Sequence, residues 1–199
     1  MQPRVILASR SSSRATLLRN AGIAFEARPV SVDEDAVKES MLAEGAPPRD
    51  IADTLAELKA HRAATRDPAA LTIGADQVLD CRGKLFSKPR DLEDARFQLK
   101  SLSGRPHDLL SAAVIYEGGQ PVWRHVGKVR LTMRPFSDAF LDRYIAAEGE
   151  ALLQTVGCYR LEGLGAQLFT QVSGDYFCVL GLPLLEILGF LRTRNIGTA

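Results

Sequence analysis

The chain is poor in the residues that build metal centres and disulfide frameworks: 199 residues contain three cysteines and three histidines. Cys81, Cys158 and Cys178 are odd in number, widely separated and form no C-x-x-C pair. That argues against a disulfide framework and against a structural zinc site. His61, His107 and His125 show neither H-E-x-x-H nor H-x-x-E-H spacing, so structural roles are expected for them as well. Charge of one sign is also lacking. Against 25 basic residues stand 24 acidic ones, a formal net charge of +1, which gives no global field for a nucleic acid polymer or an anionic membrane. A small anionic ligand needs only a local basic pocket and stays open. No apolar run approaches a membrane span, and the N-terminal apolar stretch is far too short for a signal peptide, so a cytoplasmic location is expected. Repeats and low-complexity tracts are missing, and Gly45 to Pro48 is the one weak linker signal. With 46% apolar and 25% charged residues, the composition is that of an ordinary globule, and the length predicts a single domain over residues 1–199.

What is present alternates between strand-like and helix-like segments. Residues 3 to 8 read as a hydrophobic strand, followed by a Ser-rich turn and a helix through Leu17, Leu18 and Ala21 that Gly22 stops. Phe25 to Val30 alternates like a strand and runs into an acidic turn, Asp33-Glu34-Asp35. Asp50 is placed to cap a helix carrying Ile51, Leu55 and Leu58 on one face, with Lys59 at the boundary between core and solvent. Leu71 to Ile73 reads as a buried strand delivering Asp76 at its C-terminal end. A hairpin turning at Arg82-Gly83 then returns Lys88. Asp91 caps a helix with Leu92, Ala95, Leu99 and Leu102 on one stripe. Two β-type runs, Leu109 to Tyr116 and Pro121 to Met133, are joined by a turn at residues 117–120. Ser137 caps a helix through Phe140, Leu141, Tyr144 and Ile145. A Gly-rich segment, a strand-like Tyr176 to Leu180 and a helix from Pro183 end the chain. Strands interleaved with helices and a late hairpin predict an α/β fold with a mixed sheet.

Four constellations could carry chemistry. LASRSSSRATLL, residues 7 to 18, places Ser9, Ser11 and Arg14 at a helix N-terminus, where free N–H groups and the helix dipole attract phosphate. The plain alternative is a helix cap with a solvated arginine. Neither a P-loop nor a dinucleotide fingerprint is present, because the glycines they require are absent. Asp33-Glu34-Asp35 suits a hard cation bound through oxygen, or a solvated turn. Asp76 with Lys88 pairs an acid with a lysine, as a phosphate-bearing ligand with a metal ion would need, or forms a surface ion pair. GCYRLEGLGAQLF, residues 157 to 169, allows close backbone approach and holds Glu162 among apolar neighbours.

Taken in order, LASRSSSR, VDE at 32 to 34, LAELKA at 55 to 60, GADQ at 74 to 77, KP at 88 to 89, LSGRPH at 102 to 107 and GLPL at 181 to 184 resemble the Maf family of nucleoside triphosphate pyrophosphatases over nearly the whole chain. The resemblance implies a mixed twisted sheet flanked by helices with a deep nucleotide-binding cleft (Maf / ITPase-like). It further implies hydrolysis of a nucleoside triphosphate to monophosphate and pyrophosphate, a divalent cation (Mg, Mn or Co) and a homodimer. By the same resemblance, Ser9 and Arg14 match the phosphate-binding motif and Glu34 the metal-associated acid. Lys59 and Lys88 match two phosphate-facing lysines, and Asp76 the proton acceptor; a divalent ion is expected on Glu34 and Asp76. Ser12 and Ser13 replace a Pro and an Arg of the family's usual N-terminal pattern. Gln77, the EGLG run and Ser173-Gly174-Asp175 look like the branch hydrolysing 7-methyl-GTP, although that branch usually has Trp at the position of Ser13.

The reading that follows is a metal-dependent nucleoside triphosphate pyrophosphatase that cleans the nucleotide pool, acting on a small-molecule nucleotide and on no nucleic acid polymer or membrane. Its rival is a nucleotide-binding regulatory protein of cell division or septum formation with little or incidental hydrolysis. Glu34, Asp76 and both lysines together favour the enzyme, since binding alone needs no water-activating acid. Ser13, Gln77 and Glu162 are the expected determinants of base specificity. A buried Glu162 carboxylate beside Gln77 would favour guanine-type bases over thymine and uracil.

Overall fold

A computed structural model describes residues 3–197. Among these, seven strands hydrogen-bond in the order β2-β1-β3-β5-β6-β7, with β4 paired to β3. They are β1 (Val5–Leu7), β2 (Glu26–Ala27), β3 (Leu71–Cys81), β4 (Lys84–Phe86), β5 (Pro106–Glu117), β6 (Gln120–Met133) and β7 (Phe169–Ser173). β1 pairs in parallel with β2 and β3, whereas β3–β4 and β6–β7 are antiparallel, so the sheet is mixed. The helices are α1 (Ser12–Asn20), α2 (Glu34–Ala43), α3 (Pro48–Ala64), α4 (Leu92–Leu102), α5 (Asp138–Glu148), α6 (Tyr176–Val179) and α7 (Leu184–Arg192). Among the described residues no helix is long and apolar enough to cross a membrane.

The chain divides into two compact units. The first comprises residues up to Gln77, Ser111–Gly127 and the chain from Asp175 onward; the second comprises Val78–Leu110 and Lys128–Gly174. In the first unit Leu7, Leu18, Leu71, Ile73, Ile115, Leu182, Ile187 and Leu191 form one apolar cluster. Each fully buried aliphatic side chain of this kind contributes about 1.5–3 kcal/mol. The second unit buries Leu79, Ala95, Leu99, Leu102, Leu131, Leu141, Leu152 and Leu168.

Several local expectations are met. Ser11 caps α1 by accepting from the Arg14 N–H, Asp91 caps α4 and Ser137 caps α5. Arg82 and Gly83 both take positive φ, 57° and 82°, as a two-residue hairpin turn requires, and the Asp80 carboxylate accepts the Gly83 N–H.

Others are corrected. The acidic triplet is no turn: Asp33 is the N-cap of α2, accepting from Ala36 N, and Glu34 and Asp35 occupy its first helical turn. Acidic residues there complement the helix dipole, which is why the segment winds up. The β-type alternation before it yields only the two residues of β2. Asp50 does not cap α3; the helix starts at Pro48, whose fixed φ suits a first helical position, and Asp50 lies in the first turn. Tyr176 to Val179 is helical rather than extended, because Asp175 caps it through the Cys178 N–H. Asp76 stands mid-strand, since β3 continues to Cys81. It lies beyond the carboxyl end of β1 even so, because the β1–β3 register closes at Leu7 opposite Ile73.

Candidate active site

The site grows from the contact between β3 and α3. Gly74 lies so close to α3 that a Cβ there would stand 2.2 Å from the Ala56 carbonyl oxygen and 2.4 Å from the Ala60 nitrogen. Only glycine opposite alanines allows that approach. Ala52, Ala56, Lys59 and Ala63 recur at helical spacing and are all buried, so Lys59 occupies a core position of α3 rather than its boundary. Leu58, the expected third member of the apolar face, is the exposed one at 37%.

A lysine at such a position must find counter-charges, since burying an unpaired ammonium is prohibitive. Lys59 Nζ lies 2.6 Å from Asp76 Oδ1 and 2.6 Å from Glu34 Oε1, so one ammonium joins two carboxylates from β3 and α2. Glu34 itself is half-exposed and also lies 4.0 Å from Lys38 one helical turn on. Asp76 Oδ2 is buried and takes no hydrogen bond from the described residues. That orphaned anionic oxygen is the chemically informative atom, because a buried acceptor of this kind is ordinarily satisfied.

Beside it sits a hydroxyl–guanidinium anchor. Arg14, on the first turn of α1, is 9% exposed. It donates from Nε to the Gly181 carbonyl at 2.8 Å and from Nη1 to the Ala75 carbonyl at 2.9 Å and Ser9 Oγ at 3.2 Å. Burial pushes its guanidinium below the ordinary arginine range, while the charges of Asp76 and Glu34 act in the opposite direction. Ser9, also buried, accepts from the Ser11 N–H at 3.2 Å. The Ser12 and Ser13 N–H groups belong to the first turn of α1, where helical N–H groups have no intrahelical partner and favour anions.

Gln77 follows Asp76 on β3 and is held by its amide nitrogen. Nε2 donates to Ser111 Oγ at 2.9 Å and to the Cys178 carbonyl at 2.9 Å, with the Val179 carbonyl at 3.2 Å. Ser111 in turn donates to the Cys178 carbonyl at 2.7 Å. Flipping the amide would set its oxygen against two carbonyl oxygens, so the network fixes Oε1 as the outward end. Gln77 therefore offers an acceptor, and its donor capacity is consumed internally.

Ser9, Arg14, Glu34, Lys59, Asp76 and Gln77 thus come together in the first unit, with Ser13 half-buried on α1. Lys88 and Glu162 belong to the second unit. Lys88 is exposed, two residues past β4. Glu162 is exposed as well and pairs with Arg160 at 3.3 Å, so the premise of a buried, underpaired carboxylate does not hold for it. Sequence reasoning missed Gly74 with its alanine partners, Ser111 and Gly181. Only the first had a signal: four alanines four apart in α3, Ala52, Ala56, Ala60 and Ala64, with a glycine inside a buried strand. All three cysteines are buried, and burial pushes their thiols up, Cys158 to about 12, so they are inert.

The donor set fits a hard cation. Glu34 and Asp76 supply oxygen and Asp76 Oδ2 lacks a partner among the described residues, although no group of three or more His, Cys, Asp or Glu there is placed to hold a metal ion by itself. Two carboxylates suit a magnesium-like ion that draws its remaining ligands from water and substrate phosphates.

A parallel core whose strand-end region gathers an orphaned carboxylate, a buried ammonium and helix N–H groups places the molecule among α/β proteins equipped for phosphate-bearing ligands. Comparison with known proteins sharpens this. The profile of Maf-like proteins matches residues 4–194, and the chain belongs to that family. Similar relatives include a nucleoside triphosphate pyrophosphatase of Caulobacter vibrioides, 55% identical over 96% of both chains. Nucleoside triphosphate pyrophosphatase 1 of Jannaschia sp. is 53% identical over 97% of this chain and 98% of its own. A protein of Rhizobium meliloti named 7-methyl-GTP pyrophosphatase is 49% identical over 96% of both.

Proposed function

We propose that this protein hydrolyses a nucleoside triphosphate to the monophosphate and pyrophosphate. The observation that carries the reading is the buried Lys59 ammonium shared at 2.6 Å by Asp76 and Glu34, with Asp76 Oδ2 left unpartnered among the described residues. Relatives about half identical over nearly their full length carry the same activity in their names.

In this reading Asp76 Oδ2 accepts the proton of the attacking water, and Lys59 on Oδ1 fixes the carboxylate's orientation. An ordinary aspartate, with a pKa of about 3.9, is a weak base, so its contribution is largely the placement of that water. The helix N-terminus at Ser12 and Ser13, the Ser9 hydroxyl and the third proton of Lys59 face the phosphates. Displacement at phosphorus gains chiefly from positioning and charge neutralisation, and these groups supply both. Glu34 and Asp76 would hold a divalent cation (Mg, Mn or Co). When bound, such an ion neutralises phosphate charge and acidifies water. Gln77 Oε1 accepts from a ring N–H, which guanine, uracil and thymine all offer on their pairing edge. Guanine-type bases, 7-methylguanine among them, are the first to test, given the name of the Rhizobium relative.

Phosphorus NMR on a panel of GTP, 7-methyl-GTP, UTP and dTTP is the test. Monophosphate and pyrophosphate should form, and a chelator should stop the reaction. Release of inorganic phosphate and a diphosphate would instead mean attack at the terminal phosphorus and would defeat the proposal. Tight binding of every triphosphate without turnover would favour the regulatory reading.

A further inference from the structure

Arg14 resembles a phosphate ligand in the sequence, yet its hydrogen bonds run inward. A guanidinium has five N–H donors in a rigid fork. Three of Arg14's are committed to Gly181 O, Ala75 O and Ser9 Oγ. Gly181 takes φ +102°, and a Cβ there would stand 3.3 Å from Arg14 Nε, so the backbone is shaped to receive the guanidinium closely.

The consequence falls on Ser9. A hydroxyl has two lone pairs and one proton. Ser9 Oγ accepts from the Ser11 N–H at 3.2 Å and from Arg14 Nη1 at 3.2 Å, which fills both lone pairs. Its remaining capacity is the O–H proton alone. We infer that Arg14 is a positioning residue acting through Ser9: it saturates the Ser9 oxygen and so makes that hydroxyl an obligate donor to a phosphate oxygen of the substrate. An ionised phosphate oxygen is acceptor-only, so donor and ligand match, and a guanidinium behind the oxygen polarises the O–H bond and strengthens the donor. Lysine cannot reproduce this, because one ammonium cannot serve three divergent acceptors in the fork's geometry.

The inference rests on the reading that this loop holds substrate phosphates, and a double-mutant cycle separates the two. The probe is inorganic tripolyphosphate, which carries the phosphates without a base, with its Kd measured by calorimetry on wild type, Ser9→Ala, Arg14→Lys and the double variant. Binding rather than turnover is read because Arg14 also touches Ala75, next to Asp76, and a shift there moves kcat. Each single variant should weaken binding by about tenfold. The double variant should bind within about twofold of Ser9→Ala, since Arg14 has nothing left to act through. Ser9→Thr, which keeps the hydroxyl, should bind like wild type. Multiplicative losses in the double variant would mean that Arg14 reaches phosphate on its own, and would overturn the inference while leaving the phosphate loop intact. An unchanged Kd for Ser9→Ala would defeat the phosphate assignment of the loop itself. Should Arg14→Lys fail to fold by circular dichroism, Ser9→Cys decides: its thiol accepts but donates weakly, so a loss matching Ser9→Ala supports the obligate donor and wild-type affinity refutes it.

Discussion

Asp76 shows how far a single residue can be read in advance. Its acid, following a buried strand start, is legible in the sequence, and so is its neighbourhood with a lysine. Which lysine is not. Lys59 reads as a boundary residue because charged side chains are rarely buried, and nothing local announces that its two partners come from elements far along the chain. The structure makes Asp76 the acceptor of one ammonium and gives Oδ2 no partner among the described residues. Asp76→Asn keeps the volume and loses the anionic oxygen. We expect kcat to fall on the order of a thousandfold, within the range of a lost general base and water-orienting group. Stability should fall by only about 1–3 kcal/mol, since Lys59 retains Glu34. Steady-state kinetics beside a urea titration checks both. A variant within a few-fold of wild-type kcat would remove Asp76 from the chemistry.

Among elements, helices with a clear cap and stripe were legible, and α4 and α5 start where Asp91 and Ser137 say they should. The misreadings share a cause. In α2 and α6 a capping aspartate directs a segment whose own composition is ambiguous, and a short apolar or acidic run does not reveal which of its flanks will act. The α3–β3 contact is the element on which the site depends. Gly74→Ala would place a methyl 2.2 Å from Ala56 O and 2.4 Å from Ala60 N, both backbone atoms that cannot swing aside. The helix must move, at a cost of about 1–3 kcal/mol or more, and Lys59 moves with it. The melting temperature should drop by roughly 2–4 °C for each kcal/mol lost, and kcat should fall at temperatures where the variant is still folded. Adding Ala60→Gly should not rescue it, because the closer clashes are with backbone. Full activity in a folded Gly74→Ala protein would show that the helix–strand distance does not set the site.

For the molecule as a whole, the α/β class and mixed sheet were legible because β-type and helix-type periodicities alternate along the chain. The division into two compact units was not. β3, β5 and β6 each contribute residues to both units, and a strand's periodicity carries no mark of where one core ends and another begins. A whole-molecule consequence lies in the second unit, at His107. The ring is 2% exposed. Its Nε2 meets the Tyr159 hydroxyl at 2.9 Å, Phe169 lies 6.0 Å away, and Nδ1 has no partner among the described residues. Burial therefore lowers its pKa from 6.5 to about 4, against the smaller opposing pulls of the Asp108 charge and the Arg105 backbone. Above about pH 6.5 the imidazole is neutral folded or unfolded, and the fold bears no penalty. Below it the unfolded chain takes up a proton that the folded chain refuses, so stability falls as the pH drops from about 6.5 to about 4. The loss by the lower end is on the order of 3 kcal/mol. The carboxylates add their own acid sensitivity, so the measurement is a difference: urea unfolding of wild type and His107→Gln at pH 7.5, 6, 5 and 4.5. Wild type should lose more stability than the variant over that window, and the gap should open between pH 6.5 and 5. Parallel curves would mean that His107 titrates normally in the folded protein, with water reaching Nδ1.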